Sequence, residues 1–217
     1  MIDTLIDKQD NFEVVRDQIA AILVLESNEQ QQLAITAGKD PALWKLRVFR
    51  ERSNPWEEWL NTQQDQSPIV NVWYDNSNFN MSASNIVERQ LSSSVFNIDI
   101  YGYGKSHSDG SGHKPGDREA ALNAQRATRL VRNILMSANY TYLNLRGLVW
   151  QRWPQSISQF QPQLNNNALL VVGARIAFQV DFNEFSPQFS GNPLELISIV
   201  VDNETGEILI NADYEYT

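Results

Sequence analysis

Between Asp117 and Asn139 apolar side chains return every three or four residues. At about 100° per residue, Ala127, Leu130, Val131, Ile134, Leu135 and Ala138 fall on one side, and Arg118, Arg126, Arg129 and Arg132 fall on the other. The spacing predicts a helix over 117–139 with one face for a core and one for a partner. Pro115, Gly116 and Asp117 precede it, and Asp117 and Glu119 suit the positive end of a helix dipole. A long strand, Leu91 to Tyr103, comes before it. There Phe96, Ile98 and Ile100 alternate with Asn97, Asp99 and Tyr101, so one face is apolar and the other polar. A sheet with a single buried face takes its helices on that face, which constrains the chain to an α+β fold.

The remaining pattern fills in that frame. Asp10 to Glu13 reads as a capping box, and Phe12, Val15, Ile19, Ile22 and Leu23 follow at helical spacing. This helix is expected to run from near Asp10 toward Ala37, where Gly38 and Asp40-Pro41 end it. The polar stretch Ser27 to Gln32 is either a break in it or its exposed far end. Trp44, Leu46 and Val48 alternate with Lys45 and Arg47 in a half-buried strand spanning Leu43 to Arg52. Trp56, Trp59 and Leu60 after Pro55 suggest a short helical turn, and Thr62 to Pro68 a polar linker. Ile69 to Tyr74 and Leu148 to Trp153 are further strands.

From Ala168 to Phe182, Leu170, Val172, Ala174, Ile176, Phe178, Val180 and Phe182 share one face, the mark of a strand inside the sheet. Ile197, Ile199 and Val201, then a polar turn with Gly206, then Ile208 and Ile210 read as a terminal hairpin. The expected architecture is a mixed, largely antiparallel sheet with two main amphipathic helices packed on one face. It forms a single domain over residues 1–217, with a mobile, structureless loop at 104–116 and an acidic C-terminal hairpin at 190–217.

Charge separates the chain into three parts. The net formal charge is −9, which opposes non-specific adhesion to nucleic acid or an anionic membrane. It is distributed as −5 over residues 1–40, +4 over 41–180 and −8 over 181–217. A mildly basic middle between acidic ends suits like subunits docking head to tail, while for any single charge a merely solvated end is the plainer reading. The absence of cysteine excludes a disulfide framework and a thiolate nucleophile. Ile19 to Leu25 is too short to span a bilayer, and the N-terminus carries acid where a secretory signal carries positive charge, so neither a membrane nor secretion is expected.

Candidate reaction chemistry is sparse. His107, Asp109 and His113 offer nitrogen and oxygen donors for zinc but no fourth ligand on a fixed scaffold, so a solvated loop is the stronger reading. Asp202, Asn203, Glu204 and Glu207 do not match the ligand spacing of a calcium loop, and a plain turn is preferred. Gly102, Gly104, Gly110, Gly112 and Gly116 match no phosphate-binding fingerprint. Glu57 and Glu58 could do acid and base work, but adjacent acids are more often surface charges. No enzyme, cofactor or metal is expected. The helix arginines either grip phosphates, or pair with acidic residues of another subunit, or form a solvated face with intrachain salt bridges. Given the overall acidity, a protein partner is preferred over DNA.

The segments Val95-Phe96-Asn97-Ile98-Asp99-Ile100-Tyr101-Gly102, Arg129-Leu130-Val131-Arg132-Asn133-Ile134-Leu135, Arg146-Gly147-Leu148-Val149-Trp150 and Val180-Asp181-Phe182-Asn183-Glu184-Phe185 resemble tail terminator proteins of tailed bacteriophages. The order helix, strands, helix, strands is also similar over residues 10–190. The resemblance implies a six-membered ring that caps the last layer of the tail tube, stops its polymerisation and meets the neck or connector. In contractile tails, the type the resemblance favours, it also meets the sheath. Genomic DNA then crosses the channel unread, and the protein is made in the host cytoplasm and ends at the tail–neck junction of the virion. The family has no catalytic residues to carry over. On charge and position, Lys105, Lys114, Arg118, Arg126, Arg129, Arg132, Asp202, Glu204 and Glu207 are the candidate interface residues. Another head–tail joining or tail tube subunit is the alternative, and a small metal-dependent enzyme the less favoured one.

Overall fold

The computed structural model describes residues 9–61, 65–79, 89–110, 112–162, 170–185, 196–202 and 208–215. Helix α1 (Asn11–Thr36) opens the described chain. Glu13 accepts a 3.0 Å hydrogen bond from the Asp10 amide, as its first-turn position predicts. The helix runs unbroken through Ser27 to Gln32. Ser27 is buried there because its hydroxyl donates to the Trp44 carbonyl at 2.9 Å and accepts from the Leu46 amide at 3.0 Å. These two bonds tie α1 to a 3₁₀ turn at Pro41–Trp44 and to strand β1 (Arg47–Arg50). β1 is therefore shorter than the period-two pattern suggested, since Asp40 caps the 3₁₀ turn and takes Leu43 and Trp44 out of the strand.

A 3₁₀ turn at Pro55–Glu57 leads into the one-turn helix α2 (Glu58–Asn61). Strands β2 (Ile69–Phe79) and β3 (Arg89–Gly104) follow, and a small hairpin of β4 (His107–Asp109) and β5 (Gly112–Lys114) precedes helix α3 (Gly116–Leu135). Strands β6 (Val149–Phe160) and β7 (Leu170–Phe185) complete a five-stranded sheet of order β1-β2-β3-β7-β6. Only β1 and β2 run parallel within it; the other pairings are antiparallel. β8 (Leu196–Asp202) and β9 (Ile208–Glu215) form a two-stranded sheet of their own.

The β3–β7 register sets Phe96 opposite Phe178, Ile98 opposite Ile176 and Ile100 opposite Ala174, which gives the helices a continuous apolar floor. Val15, Ile19, Ile22 and Leu23 of α1 and Ala127, Val131, Ile134 and Leu135 of α3 cover it, so both long helices lie on the same face. Toward the end of β3 the floor has no side chains. A Cβ on Gly102 would strike the Ala120 carbonyl and the Ala124 amide, and one on Gly104 would strike the Gly116 carbonyl and come 2.6 Å from the Ala120 amide. The first half of α3, lined by Ala120 and Ala124, thus rests directly on sheet backbone.

Four expectations need correction. The 104–116 segment is not structureless: His107 pairs with Lys114 and Ser108 with His113, because its glycines supply a turn between short extended runs. The long helix stops at Leu135, where Ser137 starts a 3₁₀ turn by accepting from the Asn139 amide at 3.3 Å. β6 runs on to Phe160, past Pro154, accommodating the proline with register shifts between Val149 and Gln151 and between Pro154 and Ser156. The polar face of β3 is not wet, since Asn97, Asp99 and Tyr101 are each 5% exposed or less. Trp56, Trp59, Tyr103, Phe160 and Val171 build a second apolar cluster around Tyr101 there.

Arg152 on β6 joins the sheet to the end of α3. Its guanidinium donates to the Ser137 carbonyl at 2.7 Å and to the Tyr140 carbonyl, satisfying acceptors just past the helix end. Burial pushes this arginine below its usual value. Arg152→Ala is expected to lower unfolding free energy by about 2 kcal/mol, read as a lower urea midpoint. Arg152→Lys should recover only part, because one ammonium cannot reach both carbonyls in the same plane.

Candidate protein interface

Two surfaces merit description: the outer face of α3 and a cleft on the opposite side of the sheet. Helical periodicity places Arg118, Leu122, Gln125, Arg129, Arg132 and the following Met136 along one exposed stripe. Leu122 is 57% exposed and Met136 40% exposed, so the stripe carries oil as well as charge. Arg126 stands apart from the other three arginines. It is half-buried at the margin of the stripe, and among the described residues its Nε has no hydrogen-bond partner. Burial pushes its guanidinium below the usual arginine value, with Asp40 opposing the shift and Arg129 adding to it.

The contrast with the rest of the molecule is chemical. Arg16 and Arg50 pair with Asp17, Arg47 and Arg52 with Glu58, and Arg175 with Asp99. Among the described residues, no carboxylate is within ion-pairing distance of Arg118, Arg126, Arg129 or Arg132. The acids nearest in sequence are already engaged: Asp117 accepts from the Arg118 amide at 2.8 Å and Glu119 from the Lys105 amide at 3.1 Å. Among the described residues, then, α3 does not present a face laced with intrachain salt bridges.

The other candidates lie around this helix or outside it. Lys105 sits between β3 and β4 with its ammonium 5.8 Å from the Tyr103 ring, and Lys114 is exposed at the end of β5. The hairpin register sets His107 and His113 on opposite faces, so they do not converge on one ion. Asp202 ends β8, opposite Ile208. Glu204 and Glu207 lie outside the described residues. The β4–β5 hairpin thus precedes the N-terminal end of α3, the arginines are spaced along that helix, and β8 with β9 makes a two-stranded sheet of its own.

On the far face of the sheet a cleft of about 440 Å³ is lined by Glu51, Arg52, Trp56, Trp73, Phe160 and Arg175, with Asp99 and Tyr101 in its wall. Arg175 Nε and one terminal nitrogen donate to the two Asp99 oxygens at 2.6 and 2.9 Å. Trp73 Nε1 donates to the same carboxylate at 3.0 Å, and the Tyr101 hydroxyl at 3.4 Å. The guanidinium carbon lies 4.9 Å from the Trp73 ring and 5.5 Å from that of Phe160. Its hydrogen bonds to the Asp99 carboxylate push the Arg175 guanidinium up, and burial beside the Asp99 charge pushes the Tyr101 phenol up. Glu51, held at φ 52°, accepts from Arg16 at 3.2 Å and from the Tyr74 amide at 3.0 Å. Each charged group lining this cleft has a partner, Asp99 with Arg175 inside it and Glu51 with Arg16 and Arg52 with Glu58 beside it, an arrangement that ties neighbouring elements together. Sequence alone marked Asp99 and Arg175 only as polar-face residues, because partners 76 positions apart leave no local signal.

No described helix is long and apolar enough to cross a membrane. Comparison with protein-family models finds no match, and comparison with curated proteins finds no significant one.

Proposed function

We propose that the protein is a structural subunit of a tailed-phage virion, a tail terminator whose copies close into a ring. The ring caps the tail tube, halts its growth and meets the neck or connector. The observation that supports this reading best is the α3 face, which carries exposed arginines and apolar side chains but, among the described residues, no carboxylate partner. A guanidinium with no carboxylate in reach among the described residues suits a heterologous interface, where each copy offers a basic patch to the acidic patch of the next. The segments that resemble tail terminators fall on the central strand β3, on α3, on the turn leading into the edge strand β6 and on the end of β7. Function of this kind needs shape and complementary charge, with no bond made or broken.

Light scattering with electron microscopy of the purified chain tests the proposal. Closed rings of six copies are the expected result, and a monomer at all concentrations overturns it. The double reversal Arg126→Glu with Arg129→Glu should weaken subunit association by at least about tenfold. High salt should act in the same direction on the unsubstituted chain, since exposed charges are screened beyond a few ångströms at molar ionic strength. Association indifferent to both would remove the arginine face from the interface.

A further inference from the structure

We infer that the C-terminal hairpin of one subunit lies along the α3 stripe of the next copy of this chain. The inference rests on the ring reading for the identity of the partner and adds which element fills the arginine face. Three observations converge on it.

The first is that, among the described residues, β8 and β9, the strands of the hairpin, pair only with each other and join no strand of the five-stranded sheet. A lone two-stranded sheet is marginal in water and gains stability by packing against another element. Their register matches Ile197 with Tyr214, Ile199 with Ala212 and Val201 with Ile210, so apolar residues stand opposite apolar ones.

The second is charge. Residues 196–215 carry Asp202, Glu204, Glu207, Asp213 and Glu215 and no basic residue. The stripe carries Arg118, Arg129 and Arg132 with no described carboxylate in reach, and Leu122 and Met136 to receive apolar contacts. The two segments have opposite sign.

The third is fit. From Arg118 to Met136 the stripe runs roughly 27 Å at a helical rise of 1.5 Å per residue, and eight-residue β9 is about 26 Å long at strand rise. The free edges of the large sheet are poorer hosts. β1 has four residues, and β6 is interrupted by Pro154 and two register shifts, features that discourage another strand from pairing.

The test is a charge swap in the full chain, read by light scattering and sedimentation. Asp213→Arg and Arg129→Asp should each weaken association about tenfold or more, and the chain bearing both should regain most of it. Because the protein has no cysteine, Arg129→Cys and Asp213→Cys chains can also be mixed and treated with a flexible bismaleimide. A cross-linked species containing both chains, absent when either is treated alone, is expected. Rings unaffected by Asp213→Arg overturn the inference while leaving the ring reading in place. A chain carrying both cysteines that links only within itself also overturns it, by seating the hairpin on its own helix. Full-length protein that stays monomeric removes both readings.

Discussion

Replacing Arg175 with alanine is expected to destabilise the fold by about 3 kcal/mol, more than replacing its partner. The asymmetry follows from burial. The Asp99 side chain is 5% exposed and the Arg175 side chain 38% exposed. Without Arg175 a carboxylate is stranded in a dry wall with only Trp73 and Tyr101 as donors. Without Asp99 the guanidinium still reaches water and keeps its stacking on Trp73 and Phe160. Asp99→Asn should therefore cost less, about 2 kcal/mol. The estimate for Arg175 sits at the low end of the range for breaking buried pairs because its exposure leaves part of the charge solvated. Urea unfolding of both single variants and the double variant checks this. A strongly non-additive cycle is expected, since the second substitution removes a group that the first has already left without its partner. Additive losses would mean that the two residues act separately.

Gly102→Ala should have a comparable effect by a different route, about 3 kcal/mol. The added methyl meets the Ala120 carbonyl and the Ala124 amide and α-carbon, all backbone atoms of α3. No side chain can turn aside, so the helix must lift from β3 or the strand must bend. Trimming Ala120 or Ala124 to glycine therefore gives no rescue, which separates this clash from ordinary overpacking. A melting temperature lower by roughly 6–12 °C is expected for a domain of this size, with far-UV circular dichroism largely kept at low temperature. The α3 stripe would tilt with its helix, so the proposed ring assembly should weaken too. An unchanged melting curve would show that α3 does not rest on the backbone of β3.

Features that depend on neighbours along the chain could be read without coordinates. Glu13 at the third position of α1, the spacing of Ile19, Ile22 and Leu23, and the alternation of Phe96, Ile98 and Ile100 are consequences of helix and strand periods acting on side-chain direction. The same periodicity put Arg118, Arg129 and Arg132 on one outward face. It could not separate Arg126 from them, because burial at the margin of a helix depends on what packs beside it.

The misread places share a cause. Trp44 and Leu46 have strand-like spacing but are held by the Asp40 cap and the Ser27 hydroxyl, contacts made across a turn and to another helix. Gly102 in the expected strand and Gly104 at the start of the expected loop carry no mark of a helix contact until α3 is seen lying on them. Asp99, a polar-face residue by alternation, is buried because Arg175 arrives from a strand 76 residues away. The charge segregation of this chain, its strand and helix periods and its acidic end are properties of the linear polymer and were determined before folding. Which arginines found a partner, which glycines touch a helix and which polar face went dry were decided only when distant segments met, since ion pairing, close packing and desolvation act over a few ångströms of space and carry no mark in sequence distance.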